Sequence, residues 1–313
     1  MALSTGRTNF FQTMGDFMRL MRCLLVSGSA AMLAGGMMLT AGSAATVTAA
    51  PARAAQPASH YSAHFVAEAR SALVHFLSKH HQALEPTHQI SRTGPVGTTD
   101  VDSFNWSGYA DSSATTGTFS QVSAEWKTPF VACNREDTIT SEWVGLDGFS
   151  SDTVEQDGTL GWCFEGSPIY FTWYEMFPAG TIEVGTSLQP NDIIKASVSR
   201  TGTSYTLAVT DFSRPANSFS VTSTCAAATC LDTSAEWIAE RPSFSIGIAP
   251  LADYGIWRVS GASETAAGVT GTISSYPTND QIGMVDATDT YELSVPSSLV
   301  GGSSFSTLWQ NSY

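Results

Sequence analysis

Beyond residue 100 the chain alternates apolar and polar side chains with a period of two. Residues 119–127, 169–177, 193–200, 205–212, 235–240 and 255–259 carry this pattern, and clusters of Gly, Pro, Asn, Asp and Ser separate them. Successive side chains of a strand point to opposite faces, so each run predicts a strand with one buried face. Many strands at short spacing, with no helix between them, predict an all-β sandwich or barrel. Residues 100–313 suffice to bury one sizeable core, and all eight tryptophans fall there. The one helical pattern lies earlier, where Phe65, Ala69, Leu73, Phe76 and Leu77 recur at spacings of three and four.

The first hundred residues read as two segments. In residues 1–50, Arg19 and Arg22 precede an apolar stretch containing Leu24, Leu25, Val26 and residues 32–39, and Ala44, Ala45, Ala49 and Ala50 offer cleavage sites. This is the pattern of an export signal, and the glycines at 28, 35, 36 and 42 argue against a membrane span. Residues 51–99 hold the helical pattern, all six histidines and a turn-rich run with Gly94, Pro95 and Gly97. They predict a partly helical propeptide and linker ahead of a mature domain at 100–313. The expected product is secreted and monomeric, with no stable membrane association once the signal is cleaved.

Charge narrows the choice of partner. From Asp100 onward the chain has seven basic against 25 acidic side chains, a formal charge of −18. Such a surface repels phosphate backbones, so no nucleic acid is expected as a partner. Of five cysteines, Cys23 lies in the signal, and the remaining four suggest two disulfides in an exported domain. Cys225 and Cys230 flank a four-residue loop that a bridge would pin, which leaves Cys133 for Cys163; the other two pairings stay open.

Elimination then limits the chemistry. No histidine occurs after residue 100, so neither a Ser-His-Asp nor a Cys-His system can be built there, nor a zinc site with His ligands. Only two lysines remain, and there is no Gly-rich phosphate loop. No metal and no cofactor is expected. Catalysis by such a domain falls to carboxylates, amides and backbone donors. The Asp-Thr-Gly and Asp-Ser-Gly signatures of paired-aspartate peptidases are absent, and Asp232-Thr233-Ser234 is only a near miss. Glu236 and Glu240 share a face of one predicted strand, but at about 3.3 Å per residue they sit about 13 Å apart, too far for a glycosidase pair.

Five segments remain: Asn105-Trp106-Ser107-Gly108-Tyr109, Trp143-Val144-Gly145-Leu146-Asp147-Gly148, Val154-Glu155-Gln156-Asp157-Gly158, Trp173-Tyr174-Glu175-Met176-Phe177-Pro178 and Ala235-Glu236-Trp237-Ile238-Ala239-Glu240-Arg241-Pro242. In this order and spacing they resemble the glutamic peptidase (eqolisin) family. The resemblance implies a concanavalin-like sandwich of two antiparallel sheets with one face curved into a cleft. It also implies acid endopeptidase activity on polypeptide substrates, no metal, and a propeptide that is removed on activation. Gln156, in a turn-rich segment just before a Gly, matches the family's catalytic Gln, and Glu240 matches its catalytic Glu. Glu236 is the rival for that second role. Asp147 and Glu175 are expected to support the site or a subsite, or to be buried structural groups. Trp106, Tyr109, Trp143 and Trp173 are expected either in the core or against substrate. Glu155 stands where the family pattern leads one to expect an apolar side chain. The reading from a different class is a non-catalytic sandwich that binds carbohydrate through its aromatic face; fold alone does not choose between the two.

Overall fold

The computed structural model describes residues 91–93, 98–134, 137–164, 166–244 and 247–313, all within one compact unit, Tyr61–Tyr313. The export signal of 1–50, the helical pattern of 65–77 and the six histidines lie outside the described residues.

Two layers of strands make the fold. In chain order the main strands are β1 (Thr98–Ser103), β2 (Trp106–Ser112), β3 (Phe119–Lys127), β4 (Thr138–Leu146), β5 (Val154–Phe164), β6 (Ser167–Phe177) and β7 (Ile193–Thr201). They continue with β8 (Ser204–Asp211), β9 (Phe219–Thr224), β10 (Ser234–Glu240), β11 (Ile256–Ala266), β12 (Asn279–Val285), β13 (Glu292–Pro296) and β14 (Phe305–Trp309). The first layer runs β6-β5-β4-β10-β2-β12-β1. The second runs β9-β8-β7-β3-β11-β14-β13. Pairing of β12 with β13 joins the layers along one edge. Every one of these pairs is antiparallel except β12 with β1, which is parallel.

The alternation seen in the sequence becomes the core. On β8, Tyr205, Leu207 and Val209 are buried while Thr206, Ala208 and Thr210 are less so; Ile194, Ala196 and Val198 do the same on β7. Across the layers, Tyr109 packs edge-on against Phe305 with ring centroids 4.8 Å apart. The indole of Trp237 donates to the Ser123 carbonyl, and that of Trp126 to the Thr159 hydroxyl. These bonds satisfy the polar edge of each large ring inside the core, where an unpaired N–H would be costly.

The central strands β4, β5 and β10 are buried on both faces. The sequences of β4 and β5 lack a clean alternation for that reason, and β5 reads as a turn-rich stretch because of Gly158 and Gly161. Gln156 accordingly lies inside an eleven-residue strand rather than in a turn. Both glycines serve close approach: a Cβ on Gly158 would come within 2.1 Å of the Glu142 carbonyl oxygen, and one on Gly161 within 2.6 Å of the Val131 side chain.

The disulfides pair Cys225 with Cys230 and Cys133 with Cys163. Loop entropy separates their expected worth. The 30-residue separation of Cys133 and Cys163 restrains the unfolded chain by about 4 kcal/mol, against about 2 kcal/mol for the short loop. Replacing each pair by Ser should therefore lower the urea midpoint roughly twice as far for Cys133/Cys163. Equal losses would show that loop length does not govern their contribution.

Candidate active site

The site forms on the face of the first layer that turns away from the second. On β10, Ala235, Trp237 and Ala239 enter the inter-layer core, so strand geometry sends Glu236, Ile238 and Glu240 to the other face. Register then fixes their neighbours. Glu236 lies opposite Gly145, Gly145 opposite Gln156, and Gln156 opposite Glu175, so these four residues form one cross-strand row. Glu240 stands four residues along, opposite Ser141 on β4 and Trp106 on β2.

Trp143 connects the two ends. Its indole donates to Glu240 Oε2 at 2.8 Å. Its six-membered ring lies over Gly145, where a Cβ would meet it at 2.8 Å and the Gln156 Cβ at 3.3 Å. Gly145 thus leaves the space that lets the ring reach from Glu240 toward Gln156. Trp106 packs edge-on against Trp143 at 5.1 Å, and Trp173 lies opposite Gly158, beside the same row.

Hydrogen bonds give each functional group an orientation. Asn105 Nδ2 donates to Glu240 Oε1 at 3.3 Å, and the Ser103 hydroxyl donates to Asn105 Oδ1. Gln156 Nε2 donates to Glu175 Oε2 at 2.7 Å, and Thr181 donates to Glu175 Oε1. This fixes which way the Gln156 amide faces. Its second N–H and its carbonyl oxygen are left for other partners, and that buried oxygen has none among the described residues.

The two glutamates of β10 differ in electrostatics. Glu240 receives two N–H donors, which favour a carboxylate. Glu236 is fully buried and receives no well-formed hydrogen bond; the Ser234 hydroxyl and the Phe149 backbone only come near. Burial first, and then the charge of Asp147, push its carboxyl well above the usual range. Glu236 is therefore a neutral acid in this setting, while Glu240 is equipped to act as a base.

The remaining candidates divide by position. Tyr109 lies on the opposite face, in the inter-layer core, with its hydroxyl donating to the Ser297 carbonyl. Asp147 follows the end of β4 with a φ of 66° and accepts from the backbone N–H groups of Leu231, Asp232 and Thr233. It pins the segment leading into β10 and does not touch Gln156 or Glu240. Asn105 is the functional neighbour that the motif reading treats only as a strand start. Its signal is its place directly before Trp106, the residue in register with Glu240.

Residues 104–302 match the Peptidase A4 family, a span that contains Gln156, Glu240 and their direct partners Asn105, Trp143 and Glu175. The chain belongs to the Peptidase A4 family. Among curated proteins it is 28% identical to Aspergillopepsin-2 of Aspergillus niger over 138 residues, which are 43% of this chain and 49% of that protein. The chain thus spans about half the length of this curated relative. Among solved structures, scytalido-glutamic peptidase with a transition state analog inhibitor aligns with a TM-score of 0.54 and 21% identity, covering 66% of this chain and 98% of that one. SCP-B, a member of the Eqolisin family of peptidases in complex with the tripeptide Ala-Ile-His, aligns with a TM-score of 0.51 and 20% identity over the same shares. These two likenesses establish the two-layer fold of this Peptidase A4 member.

Proposed function

We propose that the chain is the precursor of a secreted acid endopeptidase in which Glu240 activates a water and Gln156 stabilises the tetrahedral intermediate. Register sets Glu236 in the row of Gln156 and Glu240 four residues along, so Glu240 is named as the base on its match to the family motif and on its donors. The observation that carries the reading is how each group is wired. Glu240 is held by two N–H donors, while Gln156 is oriented by Glu175 with its carbonyl oxygen and one N–H uncommitted. Membership of a peptidase family supplies the reaction class.

The steps follow from these groups. A water held by Gln156 Oε1 gives a proton to the Glu240 carboxylate as its oxygen attacks the peptide carbonyl. The oxygen that becomes negative accepts the remaining Gln156 N–H, a donor that does not titrate in acid. Glu240 then returns the proton to the leaving nitrogen, and the bond breaks. Glu175 keeps the amide from rotating, and Trp143 with Asn105 holds the carboxylate on line.

Gln156 and Glu240 are only 2% and 5% exposed in the intact chain. A polypeptide reaches groups this enclosed only after the site opens. A secreted product accords with the two disulfides, and no helix among the described residues is long and apolar enough to cross a membrane.

The test is hydrolysis of a denatured protein from pH 2 to 7 by the matured enzyme, with a chelator and a pepsin-type inhibitor as controls. Cleavage confined to acid and indifferent to both additives is expected. Folded, matured protein that cleaves nothing at any pH overturns the proposal in favour of the carbohydrate-binding sandwich. Trp143→Phe tests the wiring: losing one donor raises the Glu240 pKa, so the acid limb of kcat should move up in pH and kcat should fall by about tenfold. An unmoved acid limb would remove Trp143 from the mechanism.

A further inference from the structure

Glu155, the charge standing where an apolar residue is expected, has a defined place. Its neighbour Gln156 lies on the outer face of the first layer, so Glu155 turns inward, fully buried and in register with Leu146 and Met176. One carboxylate oxygen from each of Asp147, Glu155 and Asp232 lies within 4.8 Å of the others, and the sulfurs of Cys225 and Cys230 come as close to Glu155. Asp147 accepts from three backbone N–H groups and from the hydroxyls of Thr153 and Thr233. Asp232 accepts from the Tyr205 hydroxyl and pairs with the Arg200 guanidinium at 3.0 Å. Neither oxygen of Glu155 has a hydrogen-bond partner among the described residues.

These donors decide what fills the third place. A metal cation would compete with five donors at Asp147 and meet a guanidinium at Asp232. A proton on Glu155 meets neither obstacle. Burial, and after it the charges of Asp147 and Asp232, raise the Glu155 carboxyl to about 9. The other ionisable groups that bear on this corner are Tyr205 on β8, Arg200 on β7, Glu236 on β10 and Asp157 on β5 itself.

We propose that Glu155, held as a neutral acid between Asp147 and Asp232, is a positioning residue that keeps the start of β5, and Gln156 with it, against segment 231–233, and that losing its proton releases this corner. Opening the corner frees Glu155 to ionise near its ordinary value of about 4.3. Above that pH each unit therefore makes the open form tenfold more populated than it would be without this group. The kinetic consequence, though not the structural one, rests on the role proposed for Gln156.

Hydrogen exchange over residues 154–158 in the full chain, corrected for intrinsic rates and followed from pH 4 to 5.5, where local rather than global opening sets the rate, tests this. Wild type is compared with Glu155→Gln, with Glu155→Leu and with Asp111→Asn, which removes a buried carboxyl elsewhere. We expect both Glu155 variants to lose one power of ten per pH unit from the slope of opening, while Asp111→Asn keeps the wild-type slope. Retention of the wild-type slope in both Glu155 variants overturns the proposal, and so does equal flattening in Asp111→Asn. In Glu155→Gln the upper limb of kcat should also move up by at least about half a pH unit with KM unchanged. If neither wild type nor any variant cleaves and the exchange slopes still separate, the endopeptidase reading fails and the role of Glu155 stands. If cleavage is normal and the slopes coincide, the role of Glu155 fails and the endopeptidase reading stands.

Discussion

Glu240→Gln is expected to lower kcat by about 10³–10⁴ and Gln156→Ala by about 10²–10³, with KM and the far-UV spectrum little changed. The asymmetry follows from the roles. Glu240 moves a proton twice in each turnover, whereas Gln156 contributes one donor to the oxyanion and one acceptor to the water. Gln keeps the shape of Glu240 but only one acceptor oxygen, so either Trp143, now at 2.8 Å, or Asn105, now at 3.3 Å, faces an amide N–H instead of an acceptor. The side-chain volume is unchanged, and a loss of this size reads the missing proton transfer. The double variant should be little worse than Glu240→Gln alone, since both groups act on one intermediate. Steady-state kinetics on an acid-soluble peptide checks this. If Glu236→Gln abolished turnover while Glu240→Gln retained it, the assignment along β10 would be reversed.

The second large effect is a collapse of stability toward neutral pH. Buried carboxyls whose pKa is raised on folding are spread through the sandwich. Asp111 is pushed to about 10 by burial and then by Glu264 and Asp280, Glu155 to about 9 and Glu142 to about 7 by burial; Asp157 and Glu236 also lie well above the ordinary range. Folding therefore takes up protons. The stability these groups confer is complete below about pH 4, where the unfolded chain is protonated too, and is lost progressively as pH rises from there to the folded values between about 7 and 10. Each such group removes about 1.4 kcal/mol per pH unit once the unfolded chain has ionised. Two of them remove about 7 kcal/mol between pH 4.5 and 7, comparable with the whole stability of an ordinary domain. The protein should be fully folded at pH 3 and lose its near-UV signal cooperatively on the way to pH 8, and Asp111→Asn should move that midpoint upward. A urea midpoint that is flat or rising between pH 4 and 8 would contradict this account.

How far the sequence foretold this architecture depended on water. Strands β3, β7, β8 and β11 border solvent on one face, so period-two alternation survives in them and their positions were legible. Strands β4 and β5 are buried on both faces, and the alternation that marks a strand is absent there. The glycines that let the Glu142 carbonyl and the Val131 side chain approach gave β5 the look of a turn, which put Gln156 in the wrong kind of element. On β10 the parity of Glu236 and Glu240 was readable, but the partition of charge between them was not. It depends on donors from Trp143 and Asn105, which lie 97 and 135 residues away in sequence from Glu240. The side on which Tyr109 falls, and the parallel pairing of β1 with β12, likewise depend on register set by distant strands.

The position of β10 also orders events during synthesis. It inserts between β2 and β4, which precede it by more than a hundred residues and more than ninety residues respectively, by the register Glu240–Trp106 and Glu240–Ser141. Contacts of such long range form late. A chain still on the ribosome carries Trp106, Trp143, Gln156 and Glu175 long before residue 240 emerges, so no nascent or truncated fragment ending before it holds both halves of the proposed machinery. The cell that makes this protein is shielded from it first by topology, before any processing step is needed.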